Sequence, residues 1–192
     1  MNSSGEFDAA YDLYKADIFR FVFHLTGNRA EAEDLFQETW LRVVRHGPLR
    51  PGGQDLKPWL LTIVLNLHRD ALRRKRVRRM FLLRQYRGDQ PDSSRSDGYA
   101  PPSAEPARVT EQAWLQRDID QAIAGLPQKQ RRVFLLSEFE GLRQTEIAGI
   151  MGIPVGTVKS LLYRAVKRLQ RDLAAHNPKG ERIKCDAKIL SV

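Results

Sequence analysis

The sequence predicts an all-α protein in which two small helical domains are joined by a flexible linker. Apolar residues recur every three or four positions along most of the chain, which is the spacing of one helix face. No sustained two-residue alternation rich in Val, Ile and Thr occurs, so a sheet is not expected. Between residues 85 and 108 the composition turns to Pro, Ser, Gly and Asp without a helical period, which predicts a tether. The predicted parts are a helical domain at 6–83, the linker at 84–107, a second helical domain at 108–175 and a tail at 176–192.

The N-terminal domain is predicted to contain three helices, at about residues 6–26, 29–46 and 56–80. Gly27-Asn28 separates the first two, because this pair interrupts a helical pattern. A loop rich in Gly and Pro, from His46 to Gly53, precedes the third.

The second predicted helix has two different faces. On a helical wheel its core face carries Phe36, Trp40, Val43 and Val44. The opposite face is acidic with one apolar residue at its centre, which is unusual in a chain this basic. The ordinary explanation is a helix face exposed to solvent. The more specific explanation is a docking face for a basic protein partner. The residues of this acidic stripe are Glu31, Asp34, Gln37, Glu38 and Leu41.

The third predicted helix combines an apolar face with a row of polar donors that leads into a basic cluster. The predicted core positions are Leu60, Ile63, Val64, Leu67 and Ala71. The row of donors suits a nucleic-acid backbone. Trp59 begins this helix and either stacks on an unpaired base or fills the core. The predicted nucleic-acid contacts are Thr62, Asn66, Arg69, Arg73, Arg74 and Arg76.

In the C-terminal domain, helices at about 108–124 and 128–139 precede a helix-turn-helix at 144–173. Gly152 and Pro154 end the first helix of that motif and make the turn tight. An ordinary antiparallel helix pair is the alternative, but it would not need so short a turn. The second helix is expected to pack Val158, Leu162 and Val166 on Ile147, Met151 and Ile153.

The other side of that second helix is polar and basic. Such a helix fits the DNA major groove, with its N-terminal side chains at base edges and its basic end near phosphates. The outward residues are Thr157, Lys159, Ser160, Tyr163 and Arg164.

The composition supports a nucleic-acid partner and argues against several other classes. The 192 residues carry a net charge of +9 with a pI near 10.0, which favours a polyanion. Cys185 is the only cysteine, so an internal disulfide framework is excluded, and no Cys/His spacing suits zinc. No cofactor is expected. No signal peptide and no apolar run long enough to span a membrane is found, so a cytoplasmic location without membrane insertion is expected.

Three motifs, in order along the chain, resemble the bacterial extracytoplasmic-function (ECF) sigma factors, which are RNA polymerase specificity subunits. AEDLFQETWLRV is similar to the family's region 2 helix that docks on the polymerase β′ clamp. WLLTIVLNLHRDALRRKRVRR is similar to the segment that melts and reads the minus-10 element. The stretch from Leu126 to Gln170 resembles region 4, which reads the minus-35 element.

The resemblance implies three surfaces, with RNA polymerase core (β′ clamp and β subunits), duplex and single-stranded promoter DNA, and an anti-sigma factor as partners. Strand opening would be driven by binding to unpaired bases. The tether, with an rms span of roughly 25 to 30 Å, would let the two DNA-binding domains contact the minus-10 and minus-35 elements of one promoter. The polymerase surface is Asp34, Gln37, Glu38 and Leu41; the minus-10 surface is Trp59, Thr62, Asn66, Arg69, Arg73, Arg74 and Arg76; the minus-35 surface is Gly156, Thr157, Lys159, Ser160, Tyr163, Arg164 and Lys167.

The chain departs from the family pattern at several positions. Leu65 and Leu161 stand where the family often has Arg, and Arg143-Gln144 replaces a common Ser-Tyr pair. Each Leu removes a possible DNA contact, so the usual promoter sequence is not assumed. The loop at 47–57 aligns with the family's base-capturing loop but has no recognisable pocket.

Three other functions stay open at this point. A conventional helix-turn-helix regulator would bind duplex DNA, but it leaves the acidic stripe unexplained. A single-strand RNA binder would need only the N-terminal domain. An enzyme is the weakest alternative, because the four histidines are scattered and no Glu-x-x-His pair or nucleophile-base spacing accompanies Glu31, Asp34 and Glu38. Cys185 is either inert or redox-sensitive.

Overall fold

The structure, a computed structural model, describes residues 3–45, 56–85 and 111–174, all of them helices or the short turns between helices. The predicted loop from His46 to Gly53, the predicted linker beyond residue 85, and the predicted tail at 176–192 with Cys185 lie outside these residues. The elements are α1 (Ser3–Thr26), α2 (Arg29–Arg45), α3 (Leu56–Gln85), α4 (Glu111–Ala124), α5 (Gln128–Phe134), a π-helical turn (Leu135–Phe139), α6 (Gln144–Met151) and α7 (Val155–Asp172).

The turn between α1 and α2 lies where the Gly-Asn pair predicted it. Gly27 takes a left-handed conformation with φ of 70°, which a residue without a Cβ adopts at little cost. Asn28 then caps α2, because its Oδ1 accepts a hydrogen bond from the Glu31 N–H at 3.1 Å. These two residues fold α2 back along α1.

The N-terminal core is formed by α1, α2 and α3. Leu60, Val64 and Leu67 of α3 are buried as predicted, while Ile63 and Ala71 are only half-buried. α3 continues past the predicted end at about 80 to Gln85, because neither Gly nor Pro interrupts the sequence there. Buried partners from α1 and α2 include Ile18, Phe21, Val22, Leu25, Leu35, Trp40 and Val43.

The predicted helix at 128–139 is not uniform, because its last five residues form the π-helical turn. The Glu140 N–H donates to the Leu135 carbonyl at 3.2 Å, and the Leu142 N–H donates to the Leu136 carbonyl at 3.0 Å. Such wide turns occur often at functional positions. Here the turn brings Phe139 and Glu140 against the N-terminal half.

The helix-turn-helix forms as predicted. Gly152 ends α6 with φ of 64°, and the Ile153 N–H closes the turn by donating to the Ala148 carbonyl at 3.1 Å. Ile147 and Val158 are fully buried between the two helices. α7 also packs on α5 through the buried residues Ala165 and Leu169, which the helix-turn-helix pattern did not identify.

The two halves of the described chain pack on each other. α1 contacts α4 and the π-helical turn, and α3 contacts α6. Buried residues of both halves, such as Phe21, Ile123 and Phe134, belong to one hydrophobic cluster. The expectation of two separate domains on a tether therefore omitted a direct interface, because helical periodicity identifies an apolar face but not the surface that covers it.

Candidate functional site

The exposed side of α2 presents the predicted acidic stripe to solvent. Asp34 and Gln37 are exposed, and Glu38 is half-buried. Neither Asp34 nor Glu38 forms an ion pair with another described residue. Two unpaired carboxylates one helical turn apart, with an amide between them, are suited to a basic partner surface.

Two other acidic residues of α2 are already paired. Glu31 forms an ion pair with Lys75 of α3, and Glu33 pairs with Arg29 at 2.9 Å. Glu31, which the sequence grouped with the stripe, is therefore paired with α3. Among the residues that the structure describes, the stripe carboxylates without an ion-pair partner are those of Asp34 and Glu38.

An open apolar groove of 360 Å³ lies beside the acidic stripe, between α1 and α2. Leu41 is 50% exposed at its edge, and Trp40 lies in it with its ring edge-on to Tyr11 at a centroid distance of 4.9 Å. Aromatic rings packed this way form a rigid surface. The groove is lined by Phe7, Tyr11, Phe36, Gln37, Trp40, Leu41 and Val44.

The assignment of Val44 to the core was wrong, because its side chain is 59% exposed. Val44 lies three residues after Leu41, so the two side chains are neighbours on the next turn of α2. Val43, beside it in sequence, is buried. The exposed pair extends the apolar groove along α2 instead of closing the core.

The predicted donors of α3 form one stripe along the helix. Thr62, Asn66, Arg69, Arg73 and Arg76 alternate spacings of four and three residues, which keeps them on one side over roughly 21 Å at 1.5 Å per residue. All except Thr62 are exposed. The stripe therefore presents an amide followed by guanidinium groups, and Arg74 is exposed next to it.

Thr62 and Trp59 are less accessible than the rest of this surface. The Thr62 hydroxyl donates to the Pro58 carbonyl at 2.8 Å, which leaves its oxygen free only as an acceptor. Trp59 is half-buried and packs against the core. This packing favours the core-filling interpretation of Trp59 and leaves only part of its indole for stacking.

α3 also has a second buried side that the sequence analysis did not identify. Leu61 and Leu65 are buried, and so is His68. The spacing of four and three residues between Leu61, Leu65 and His68 could have indicated this buried side. The apolar positions of the first face alternate with them in the sequence, so only one apolar face was recognised. Leu65, which departs from the family pattern, is therefore a packing residue in this chain.

The outer side of α7 is open to solvent along its length. Tyr163 is 64% exposed, and its ring lies 5.8 Å from the Lys167 Nζ. The Ser160 hydroxyl donates to the Thr157 carbonyl at 2.9 Å. All seven predicted contacts are exposed: Gly156, Thr157, Lys159, Ser160, Tyr163, Arg164 and Lys167.

The charges of α7 are divided between free and paired cations. Arg168 and Arg171 lie 3.6 and 3.1 Å from the Asp172 carboxylate. Lys159 and Arg164 have no carboxylate partner among the described residues. Leu161 is half-buried against the core, so a leucine at this position contributes packing.

Two classes of site are missing from the part of the chain that the structure describes. Within residues 3–45, 56–85 and 111–174, no three His, Cys, Asp or Glu side chains are arranged to hold a metal ion. No helix in those ranges is long and apolar enough to cross a membrane.

Two family profiles match the chain, and they divide it as the helices do. Residues 10–78 match "Sigma-70 region 2", and residues 116–169 match "Sigma-70, region 4". The first match contains α2 and most of α3, and the second contains α6 and nearly all of α7.

Curated relatives align over most of the chain. The ECF RNA polymerase sigma factor SigE of Mycolicibacterium smegmatis is 32% identical over 162 residues, covering 83% of this chain and 58% of the relative. SigW of Bacillus subtilis is 32% identical over 166 residues, covering 84% of this chain and 86% of the relative. The chain thus spans nearly all of SigW but under two thirds of SigE, and also only 61% of BldN of Streptomyces coelicolor.

Two solved structures share the fold. The sigma factor RpoE of Bartonella quintana, solved with the anti-sigma factor NepR, aligns with a TM-score of 0.60 and 27% identity over 87% of this chain and 96% of that one. CnrH, solved with the cytosolic domain of CnrY, aligns with a TM-score of 0.57 and 19% identity over 88% of each chain.

Proposed function

The chain belongs to the ECF RNA polymerase sigma factors, and from this premise we propose that it directs RNA polymerase core to specific promoters and helps to open the DNA there. Sigma factors are specificity subunits and not enzymes. The observation that carries the proposal is the presence of three separate exposed surfaces, acidic on α2 and basic on α3 and α7, in the order that regions 2 and 4 require.

The α2 surface is the proposed contact with the polymerase clamp. Asp34, Gln37 and Glu38 supply charge and hydrogen-bond acceptors, and Leu41 supplies an apolar side chain beside them. Binding sites of this kind combine a few apolar anchors with a polar rim. A basic helix of the polymerase would complement the unpaired carboxylates and bury Leu41.

The α3 stripe is the proposed contact with the separated strand of the minus-10 element. Asn66 can both donate to and accept from a base edge, whereas the arginines beyond it can pair only with acceptors such as phosphate oxygens. A single strand bound along such a surface loses affinity steeply as salt rises. Binding energy of this kind opens a duplex without nucleotide hydrolysis.

The outer side of α7 is the proposed reader of the minus-35 element. Its polar N-terminal residues, from Gly156 to Ser160, would face base edges in the major groove. Arg164 and Lys167 lie one to two turns further along and would pair with phosphates. The buried packing of α7 on α5 and α6 holds this surface rigid.

A conventional helix-turn-helix regulator is the competing function, and polymerase binding separates the two. We propose gel filtration of the chain with purified core polymerase, using the Asp34→Ala/Glu38→Ala variant as the comparison. Co-elution of the wild-type chain, weakened in the variant, supports the sigma function. A folded wild-type chain that binds duplex DNA but elutes apart from core would favour the conventional regulator.

An anti-sigma factor is a further proposed partner. RpoE of Bartonella quintana and CnrH, which share this fold, were solved with the anti-sigma factor NepR and with CnrY. Affinity purification from the host under non-inducing conditions tests for the anti-sigma partner, and recovery of the chain without a stoichiometric inhibitor would contradict this proposal.

The proposed site of action of the chain is the cytoplasm, where polymerase and chromosomal DNA are found.

A further inference from the structure

The C-terminal end of α3 projects from the helical bundle. All side chains from Arg73 to Leu82 are exposed. The ion pair of Lys75 with Glu31 is the one salt bridge that joins this segment to another described helix. The region 2 profile ends at residue 78, whereas α3 continues to Gln85. The match to region 2 therefore does not account for the end of this helix.

The projecting end of α3 carries an apolar tip of four large side chains. Met80 is 63% exposed and Phe81 is 68% exposed. None of the four side chains belongs to the hydrophobic core cluster of the described residues. A contiguous apolar patch with a polar rim indicates an interaction site. The apolar tip consists of Val77, Met80, Phe81 and Leu82.

A basic collar of arginines surrounds α3 at the base of the apolar tip. These arginines are exposed, and none of them forms an ion pair with another described residue. No Asp or Glu occurs in the sequence between Ala71 and Gln85. Positive charge of this density without compensation favours an anionic binding partner. The basic collar consists of Arg73, Arg74, Arg76, Arg78 and Arg79.

The apolar tip extends around the helix and is not confined to one face. Val77, Met80 and Phe81 are spaced by three and four residues, so they lie on one side. Leu82 lies about 140° around the helix from Val77, at about 100° per residue. A nucleic acid lying along α3 would contact only one side of the helix. It would place apolar side chains beside phosphates and leave Leu82 in water, so nucleic acid explains the basic collar but not the apolar tip.

The surface of an anionic bilayer matches both the basic collar and the apolar tip. Arg76 and Phe81 are separated along the axis by about 7.5 Å, at about 1.5 Å per residue. Peripheral helices bury apolar side chains roughly 5 to 10 Å into the boundary between head groups and acyl chains, with cations at anionic head groups. Arginine side chains can also extend along apolar surface to keep the guanidinium in the polar layer. A bilayer surface therefore complements the charge of the collar and covers the tip on all sides.

We propose that the apolar tip and the basic collar of α3 form a peripheral binding site for an anionic phospholipid bilayer. The contact lies at the membrane surface and requires no helix that spans the membrane. Arg73 and Arg76 belong to both the basic collar and the α3 stripe. A chain bound to lipid through the collar therefore cannot use these two arginines for promoter DNA. This consequence rests on the proposed function, whereas the lipid binding itself does not.

Flotation of the full chain with lipid vesicles tests the site without polymerase or DNA. Vesicles of phosphatidylglycerol and phosphatidylcholine supply an anionic surface, and vesicles of phosphatidylcholine alone supply a neutral one. We expect the chain to float with the anionic vesicles only, and the bound fraction to fall as salt is raised. No flotation with anionic vesicles at low salt, or equal flotation with both kinds of vesicle, would overturn the proposal.

The tip variant Met80→Ser/Phe81→Ser separates insertion of the apolar tip from attraction by charge. Both side chains are exposed, so we expect the fold to persist and the affinity for anionic vesicles to fall by at least about tenfold. Leu13→Ser changes an equally exposed side chain on α1 and should leave the affinity unchanged. Unchanged vesicle binding by the tip variant would overturn the proposal. If the tip variant loses affinity for single-stranded DNA instead, the apolar tip is a nucleic-acid surface.

A pair of charge variants distinguishes the basic collar from the net charge of the protein. Arg78→Glu/Arg79→Glu alters the collar, whereas Arg42→Glu/Arg45→Glu makes the same change in net charge at the exposed end of α2. We expect the collar variant to lose affinity for anionic vesicles by about tenfold or more and the α2 variant to lose much less. Equal losses in the two variants would overturn the assignment of the site to α3.

A fluorescent label at the apolar tip supplies a second measurement that leaves the basic collar intact. Cys185 is the only natural cysteine, so Leu82→Cys in a Cys185→Ser background places one environment-sensitive dye at the tip. Leu13→Cys in the same background is the matched control. We expect anionic vesicles to shift the emission of the Leu82→Cys label to shorter wavelength and to leave that of the control unchanged. Emission that shifts at both positions, or at neither, would contradict insertion of the apolar tip.

Discussion

Glu31 of α2 and Lys75 of α3 form an ion pair that joins the acidic stripe to the basic end of α3. The pair removes one carboxylate from the proposed docking surface and one cation from the proposed nucleic-acid surface. Because α2 also packs directly on α3, the proposed clamp contact and the proposed strand contact lie on one packed unit. The carboxylates available to a partner are those of Asp34 and Glu38.

Replacing these two carboxylates should weaken polymerase binding selectively. The Asp34→Ala/Glu38→Ala variant loses its charge complementarity, and we expect the dissociation constant for core to rise about tenfold or more. Fluorescence anisotropy with labelled protein measures it. Glu33→Ala removes an exposed charge of the same helix and serves as the control. Equal losses in core binding and in thermal stability would indicate unfolding instead of a lost contact.

Leu41 should contribute to binding without contributing to stability. Leu41→Ala removes an exposed side chain, so the free energy of unfolding should change by about 0.5 kcal/mol or less. The affinity for core should fall several-fold, because an apolar anchor is lost. Leu13→Ala, which truncates another exposed leucine on α1, should leave the affinity unchanged. Indistinguishable affinities for the two variants would exclude the groove edge from the contact.

The α3 stripe should bind the displaced strand. We expect Asn66→Ala and Arg69→Ala to weaken binding of a non-template oligonucleotide to the polymerase complex by about 1–3 kcal/mol each if they contact bases, and less if they contact only phosphates. Arg45→Ala removes an exposed cation from the end of α2 and is the matched control. If Arg45→Ala weakens oligonucleotide binding as much as the α3 variants do, the α3 stripe contributes only nonspecific electrostatic attraction.

The outer side of α7 should carry phosphate contacts that salt screens. Removing Arg164 or Lys167 should lower the slope of log affinity against log salt by about one for each phosphate contact. Arg168→Ala should have a smaller effect, because Arg168 is already near Asp172. Titration of a minus-35 duplex at several salt concentrations gives the slopes. Unchanged slopes in Arg164→Ala and Lys167→Ala would argue against α7 as the DNA-binding helix.

The interface between the two halves should weaken as the solution becomes acidic. His68 faces Arg131 and Arg132 of α5 and Lys75 of its own helix, and burial followed by these cations lowers its pKa to about 4. The ordinary pKa near 6.5 returns when the halves part, so the packed state binds fewer protons. Its stabilisation by His68 is complete above about pH 6.5 and is lost as the pH falls toward 4.

At about pH 5.5, protonation of His68 should favour separation of the two packed halves by up to about tenfold. His24, which faces Arg20 and Asp120, acts in the same direction, whereas burial raises the pKa of Asp120 and Glu140 and opposes it. The His68→Gln variant isolates one group. Small-angle scattering of both proteins from neutral to mildly acidic pH measures how far the two halves separate. If His68→Gln and the wild-type chain show the same pH dependence of separation, His68 does not control the pH response of the interface.

Local structure could be predicted from the sequence where a single residue decides it. Gly27 and Gly152 set the ends of α1 and α6, and both adopt the left-handed conformation that only glycine favours. The exposed side of α7 follows from helical spacing alone. Packing between distant segments could not be predicted in this way. Val44 was assigned to the core, and the partners of Lys57 became evident only when α1, α3 and the π-helical turn were brought together.

Transcription in vitro with core polymerase on a pool of genomic promoter fragments is the most direct test of the sigma function. We predict discrete start sites that require the chain, with transcripts reduced for the Asp34→Ala/Glu38→Ala variant and absent for a chain that lacks residues 108–192. A folded chain that binds core yet yields no transcript above that of core alone, on any fragment, would contradict the account.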